Sequence, residues 1–413
     1  MFHKLIFKNT FYQIINRFIT SAIGFLITIL IAKYFGVLGY GEFTKVITFA
    51  GIFYLVADFG LNAIYLQKEE NENNFSNLLF LRFFISILLI IFINIITFFL
   101  PFNSSLNLGF SESVKIGIAI FSLTILTQAF QFCSAAVFQK KLKFDLLIKS
   151  GAAGSLVTVL LVGASIVFSF PFYFIFISFV IGGIVSSFLS LYLTYKKIIF
   201  SLDFSFMKNL FLESMPLGFM LIFNLIYFRI DVLLLSFFKT TADVGIYGFS
   251  YKFFDFLVAL PLFLSNSIYP LLISWQKNHR TLMKFSRNYF FVFLFASLFL
   301  VIIFWFIAPL ISLVRQDFFP SILPLRILLL SLPFFFLTSF MQWILISQGK
   351  QKILMLIYLF SAVINVLLNV IYIPKYSYIA SAIITGVSEA IVFVLLCIVI
   401  QVVVKNTQSL EQI

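Results

Sequence analysis

The sequence predicts an all-α membrane protein, with twelve transmembrane helices in two six-helix lobes around a central cleft. Three observations predict it. Hydrophobic residues make up 62% of the chain's 413 residues and charged ones only 10%, too little charge to solvate a water-facing surface of that size. The apolar residues come in long unbroken stretches, and about 20 of them are what a helix needs to cross roughly 30 Å of hydrocarbon. The polar connectors between the stretches are too short to fold into an extramembrane domain. A membrane β-barrel does not fit, because its strands would alternate apolar and polar over about 10 residues.

The first span, 11–34, carries Arg17 in its middle. It is too long for a signal-peptide core and lacks a small-residue cleavage site before Lys33, so it is expected to be a retained helix. Span two, 42–66, opens at Tyr40-Gly41, and spans three and four follow at 78–100 and 114–138. Spans five and six, at 146–169 and 172–195, contain Gly151-Ala-Ala-Gly154 and Gly182-Gly183. These are small-residue helix contacts rather than nucleotide loops. The connector near 197–210 divides the chain into a lobe of residues 1–200 and one of residues 201–413. The second lobe holds spans at 211–238, 246–273, 288–313, 322–347, 352–373 and 377–404. Cys133 and Cys397 fall inside spans, so no disulfide framework is implied. With His3 and His279 as the only histidines, a His/Cys metal centre is not expected, and neither is a cofactor.

The net charge of +13 is distributed as a topology signal. Lys4, Lys8, Lys68, Lys140, Lys141, Lys143, Lys149, Lys196, Lys197, Lys208, Lys277, Arg280, Lys284, Arg287, Lys350, Lys352 and Lys405 lie in one set of connectors and tails. The alternate set holds Lys33, Lys115, Lys239, Arg315 and Lys375. Positive residues stay inside, so both termini are expected in the cytoplasm. The partner of this charge is anionic membrane lipid rather than nucleic acid. The 61 Phe residues read as filler for lipid-facing positions rather than as an aromatic substrate box.

The halves echo each other. Lys8-Asn9 recurs as Lys208-Asn209, and Tyr40-Gly41 with Lys45 recurs as Tyr247-Gly248 with Lys252. Internal repeats of this kind are the architecture of secondary transporters, with the substrate site between the repeats. An even number of spans per half relates the halves by an axis along the membrane normal.

A charge at a helix centre costs about 2.5–3.5 kcal/mol on insertion scales, so each needs a reason. Those read within the spans are Arg17, Lys45, Asp58, Arg229, Asp231, Lys252, Asp255, Arg326 and Glu389, with Asn224, Gln342, Asn365 and Asn369 as uncharged polar groups. Lys45 and Lys252 each lie about 6 Å past their Gly, at 1.5 Å per residue. They either face each other across the cleft, where they would attract a phosphate or pyrophosphate, or snorkel to the interface. Arg17 is a cleft residue or an interfacial anchor. Arg229 and Asp231, two apart, cannot simply pair; Asp231 bonds a neighbouring helix or serves transport. Lys252 and Asp255, at i and i+3, can form a local ion pair. Asp58 and Glu389 are candidate carboxylates for H+ or Na+ coupling, since a carboxylate kept dry can carry a proton across a cycle. No nucleophile–base constellation, Gly-rich phosphate loop or Walker-type lysine is present, so the chain is read as neither an enzyme nor an ATP-driven pump.

Several stretches together resemble the polysaccharide-repeat flippases of bacteria, the Wzx-type members of the multidrug/oligosaccharidyl-lipid/polysaccharide exporter (MOP) superfamily. Ala32 to Gly41 is similar to the family's exit from helix one, and Asp58-Phe59-Gly60-Leu61-Asn62 to its end of helix two. Pro216-Leu217-Gly218 leading to Arg229-Ile230-Asp231 resembles the start of helix seven, Val244-Gly245-Ile246-Tyr247 the turn into helix eight, with Ser267-Ile268-Tyr269-Pro270 following. Gly349-Lys350, Asn365, Asn369, Ile373-Pro374-Lys375-Tyr376 and Thr385 to Glu389 form the most specific run. The sequence departs from the pattern at Ser377 and Ala380, where glycines are usual, and at Lys33, where Arg is common. The resemblance implies a fold like that of the multidrug and toxin exporters. It also implies a multi-pass protein of the bacterial inner membrane that flips an undecaprenyl-pyrophosphate-linked oligosaccharide, O-antigen or other surface polysaccharide, by alternating access. Its partners would be that lipid-linked oligosaccharide, membrane lipids and polysaccharide assembly proteins. On this reading Arg17, Lys45, Lys252 and Arg229 bind substrate, while Asp58, Asp231, Asp255 and Glu389 are coupling or structural carboxylates. The alternatives are a cation-coupled drug antiporter, which would present acidic walls, and a membrane polymerase or ligase, which would need a long extracytoplasmic loop. A non-transporting scaffold has no reason to bear the cost of the buried charges.

Overall fold

A computed structural model describes the backbone of residues 2–69, 71–141, 143–194, 202–274 and 279–410. Side chains are described for these residues apart from 2–21, 55, 220, 262–263, 266–267, 269–271, 273–274, 279–284 and 403–410. The Arg17 side chain therefore lies outside the described residues. So do those of His3, His279, Lys4, Lys8, Lys196, Lys197, Lys277, Arg280, Lys284 and Lys405, and Ser267, Tyr269 and Pro270 of the helix-eight motif. The chain divides into a unit of Met1–Leu225 and a unit of Ile226–Ile413.

In the first unit, α1 (Phe2–Asp58) carries the first two expected spans. It is divided at Gly36, whose φ of 68° and ψ of −168° lie in a region open essentially to glycine alone. The short α2 (Leu61–Tyr65) follows, then α3 (Glu72–Phe99), whose N-cap Asn71 accepts from the Asn74 amide at 2.7 Å. A small antiparallel hairpin, unseen in the sequence, joins β1 (Phe102–Asn103) to β2 (Leu108–Gly109) with Phe102 opposite Gly109. The fourth expected span is two helices, α4 (Glu112–Ser122) and α5 (Thr124–Lys140). Helices α6 (Phe144–Val167) and α7 (Phe174–Thr194) are spans five and six. A Cβ on Gly154 would stand 2.5 Å from the Gly182 carbonyl oxygen and from Ser186 Cβ. The small residues read from the sequence are thus what lets these two backbones touch.

Helix α8 (Phe204–Phe238) crosses the boundary between the units. The sequence places its lobe division at 200/201; the two compact units divide at 225/226, and packing is the reason. Leu210 is buried with Phe59, Leu61, Tyr65 and Cys133 in the first unit's core, and Phe211 stacks on Phe59 at 5.1 Å between ring centroids. Lys68 pairs with Glu213 at 2.8 Å.

The second unit continues with α9 (Thr241–Ser274), α10 (His279–Ile307), two 3-10 turns (Ala308–Leu313 and Gln316–Ser321), α11 (Ile322–Ser347) and α12 (Gln351–Leu410). Helix α11 is its centre, packed on α9, α10 and α12. All twelve expected spans fall on helices. Among the described residues nine helical stretches are long and apolar enough to cross a membrane. Ala22–Tyr65 and Gln351–Val402 each hold two expected spans, and α9 carries the remaining one. Phe98, Phe99, Phe295, Phe299 and Phe306 point outward, as lipid-facing rings would.

Helix α12 is divided at Ser377, with φ 53° and ψ −142°. This is the position where the flippase pattern has glycine. A β-carbon here is strained, and the Ser377 hydroxyl is buried without a hydrogen-bond partner. Lys239 donates to the Pro374 carbonyl beside the break at 2.9 Å. Replacing Ser377 with glycine is expected to stabilise the protein by about 1 kcal/mol, read as a rise in melting temperature in detergent. An unchanged or lower value would show that the bend is unstrained.

Candidate functional site

The first unit uses its intramembrane charges internally. Asp58 ends α1 and accepts from Arg82 on α3 at 2.9 Å; the same guanidinium nitrogen donates to Asn62 Oδ1 at 2.8 Å. A second nitrogen reaches the Ala57 carbonyl at 3.4 Å. The cation lies over the Phe132 ring, 5.5 Å from its centroid, and Asn62 donates to the Phe132 carbonyl at 3.0 Å. Arg82 thus clamps the α1 C-terminus and α2 to α3 and α5. It was absent from the sequence's list of intramembrane charges. Its place four residues inside span three allowed it to pass as an interfacial cation, and an Arg toward the same membrane face as Asp58 was the available signal.

Lys45, expected at a cleft or snorkelling to the interface, is instead enclosed: it is 1% exposed. Its Nζ donates to the Gly109 carbonyl at 2.5 Å and lies 6.0 Å from the Phe110 ring centroid. Nearby, Ser111 Oγ donates to Glu42 at 2.8 Å and accepts from the Val114 amide at 3.3 Å, capping α4. Lys45 holds the β-hairpin to α1.

The first unit also contains a cavity of about 570 Å3 bounded by α1, α4, α5, α6 and α7. Tyr54, Gln128, Gln131, Ser155, Thr158 and Ser186 reach its walls, and every residue lining it is uncharged.

The second unit holds two layers of polar residues. In the outer layer, Arg229 on α8 pairs with Asp255 on α9 at 2.8 Å, each about one-third exposed, with the guanidinium 5.3 Å from the Tyr251 ring centroid. The local Lys252–Asp255 pair expected from sequence is corrected: Asp255 is taken by Arg229, which approaches from the neighbouring helix. Lys252 is half-buried and within electrostatic reach of both, with no acid of its own. Counted alone, Arg229, Lys252 and Asp255 sum to one positive charge, with the Asp231 carboxylate also within electrostatic reach of Arg229.

In the inner layer, Asp231 and Glu389 are 3% and 2% exposed. Tyr227 and Asp231 lie one turn apart on α8, and Thr385 and Glu389 one turn apart on α12. Tyr227 donates to Glu389 at 2.7 Å, and Thr385 reaches back to Asp231 at 3.5 Å. Tyr247 on α9 adds a 2.5 Å bond to Asp231, and the Val232 amide one of 2.7 Å. Thr338 on α11 donates to the other Glu389 oxygen. Beside them Asn365 donates to Ser388 at 3.0 Å and Asn369 to Asn365 at 2.9 Å. Asp231 does bond neighbouring helices, one of the two roles read for it. Both carboxylates are satisfied by hydroxyls and amides, with no ion pair to either among the described residues. Arg326 stands apart from both layers, over Trp305 at 5.1 Å.

A family model described as polysaccharide biosynthesis protein matches residues 6–276, well over half of the chain. The chain belongs to the polysaccharide biosynthesis protein family. A second model, MatE, matches residues 216–371 of this polysaccharide biosynthesis protein. No curated protein matches it by sequence. Its fold is similar to that of the lipid II flippase MurJ in an inward closed conformation, with a TM-score of 0.74 and 17% identity over 94% of this chain and 87% of that one. It is also similar to an inward-facing multidrug resistance MATE family transporter of the MOP superfamily, with a TM-score of 0.77 and 14% identity over 94% and 96% of the two chains. A MOP superfamily transporter from Pyrococcus furiosus gives 0.60 at 13% identity, over 96% of each chain. At these identities the likeness is one of fold. The helical fold expected from the sequence is found, and this member of the polysaccharide biosynthesis protein family is a multi-pass membrane protein.

Proposed function

We propose that the protein is a flippase rather than an enzyme. It would move an undecaprenyl-pyrophosphate-linked oligosaccharide repeat unit, O-antigen or another surface polysaccharide, from the cytoplasmic to the periplasmic leaflet by alternating access. The bacterial inner membrane, with both termini in the cytoplasm, is the setting that the charge of the connectors supports. The observation that carries the reading is the excess positive charge of the Arg229–Asp255–Lys252 cluster. A pyrophosphate headgroup would gain charge-assisted hydrogen bonds there from Lys252 and Arg229. The lipid tail can remain in the bilayer, so the polar head alone needs a wet path. Asp231 and Glu389 are the proposed coupling carboxylates, because each is dry and, among the described residues, makes no salt bridge. Either H+ or Na+ could be the coupling ion. Asp58, fixed by Arg82, and Asp255, fixed by Arg229, are read as structural, and Lys45 as an anchor for the hairpin.

Proteoliposomes carrying fluorescent lipid-linked oligosaccharide in one leaflet test this. The wild-type protein is expected to move the lipid and to leave a fluorescent quaternary ammonium untransported. Lys252→Ala should weaken apparent affinity for the lipid about tenfold or more, since a hydrogen bond to a charged group is worth about 1.5–3 kcal/mol; Lys252→Arg should restore much of it. Transport of the ammonium without the lipid would replace this reading with the antiporter one.

A further inference from the structure

The cavity inside the first unit takes no part in the charge chemistry of the second, and its lining defines a different ligand. At about 570 Å3 it is of a size that houses small molecules. None of its lining residues is charged. A pyrophosphate or a cationic drug placed there would lose its hydration with nothing in return. Tyr54, Thr124, Thr127, Ser150 and Thr158 bond within the protein, but other hydrogen-bonding capacity in the walls is unspent. The hydroxyl of Ser186, itself 3% exposed, is buried with no partner. The amides of Gln128 and Gln131, one turn apart on α5, make no hydrogen bond among the described residues. An acyl chain would leave all of these unsatisfied. The remaining walls include the rings of Phe121, Phe132 and Phe179. Space remains at α1, where a Cβ on Gly24 would meet no atom within 4 Å. Unspent neutral donors and acceptors beside flat apolar rings suit a ligand that is neutral, rich in hydroxyls and apolar on its ring faces.

We infer that this cavity binds the neutral sugar portion of the lipid-linked substrate, an inference that rests on the flippase reading above. The sugar hydroxyls would bond to the amides and hydroxyls of α5, α6 and α7 within the first unit.

The test places a reporter in the cavity wall, Ser155→Cys, with Cys397→Ala to remove the other accessible thiol; Cys133 is buried. The rate of labelling by a small neutral maleimide is measured in detergent. Three probes are added separately: the oligosaccharide released by mild acid from the producing cells' own lipid-linked pool, inorganic pyrophosphate, and tetraphenylphosphonium. The oligosaccharide alone is expected to slow labelling. In the Gln128→Leu/Gln131→Leu background, checked for an unchanged melting temperature, the same protection should need roughly tenfold more oligosaccharide, the loss expected for two hydrogen bonds. Absence of protection by the oligosaccharide, or protection by pyrophosphate or the phosphonium, overturns the inference. So does equal protection with and without the two amides. The flipping assay is run in parallel. Protection without flipping would sink the flippase reading and leave a sugar site, whereas flipping without protection would sink the sugar site alone.

Discussion

Arg82→Met is expected to destabilise the protein by about 3 kcal/mol, the lower end of the cost of stripping one partner from a buried ion pair. The lower end applies because Asp58 retains 22% side-chain exposure while Arg82 has none, so water partly screens the carboxylate left behind. For a unit of this size the loss corresponds to a fall in melting temperature of about 6 to 12 °C. The substitution also strands Asn62 Oδ1 and the Ala57 carbonyl, both of which accept from the guanidinium. Adding Asp58→Leu to Arg82→Met should recover part of the stability, since two apolar groups replace a broken pair, and that non-additivity identifies the interaction. A melting temperature that stays at the wild-type value in Arg82→Met would mean that the clamp carries no energy.

Asp231→Asn and Glu389→Gln are expected to preserve the fold while uncoupling transport. Each amide keeps the size of the carboxylate and one acceptor for the Tyr247 or Tyr227 hydroxyl, so melting temperature should change little. Neither amide can take up H+ or bind Na+ as an anion. Flipping driven by an imposed gradient should therefore fall by about 5- to 150-fold, the span of a coupling energy of 1–3 kcal/mol. Lipid binding measured without a gradient should remain. Applying a pH gradient and a Na+ gradient separately distinguishes the two ions. If both variants respond to each gradient as the wild type does, the carboxylates are structural.

The helices were legible because the bilayer imposes a length and an apolarity that few other environments demand; every expected span lies on a helix. The breaks inside them were harder to read. Gly36 was recognisable within a motif, whereas the α4–α5 break at Leu123 carries no glycine or proline. A polar connector marks where the chain leaves the membrane, not where packing changes sides, and Leu210, beyond the connector, belongs to the core that precedes it. Charges could be found in the sequence but not their partners. The i, i+3 spacing of Lys252 and Asp255 pointed to each other, yet Arg229 wins Asp255 from across a helix pair. Lys45 matched Lys252 in position, but a carbonyl 64 residues away in the hairpin captures it. The cavity left no trace at all, since its walls are ordinary uncharged residues drawn from five helices.

The contact of Gly154 with Gly182 has a mechanical consequence. With no side chain between them, sliding α6 along α7 by a turn would drive Ser or Thr side chains such as Ser150 and Ser178 into a space sized for hydrogen atoms. The pair therefore behaves as a stiff plate that can be carried bodily through a stroke but not sheared within it. A chamber built on such a plate keeps its dimensions while the machinery around it moves.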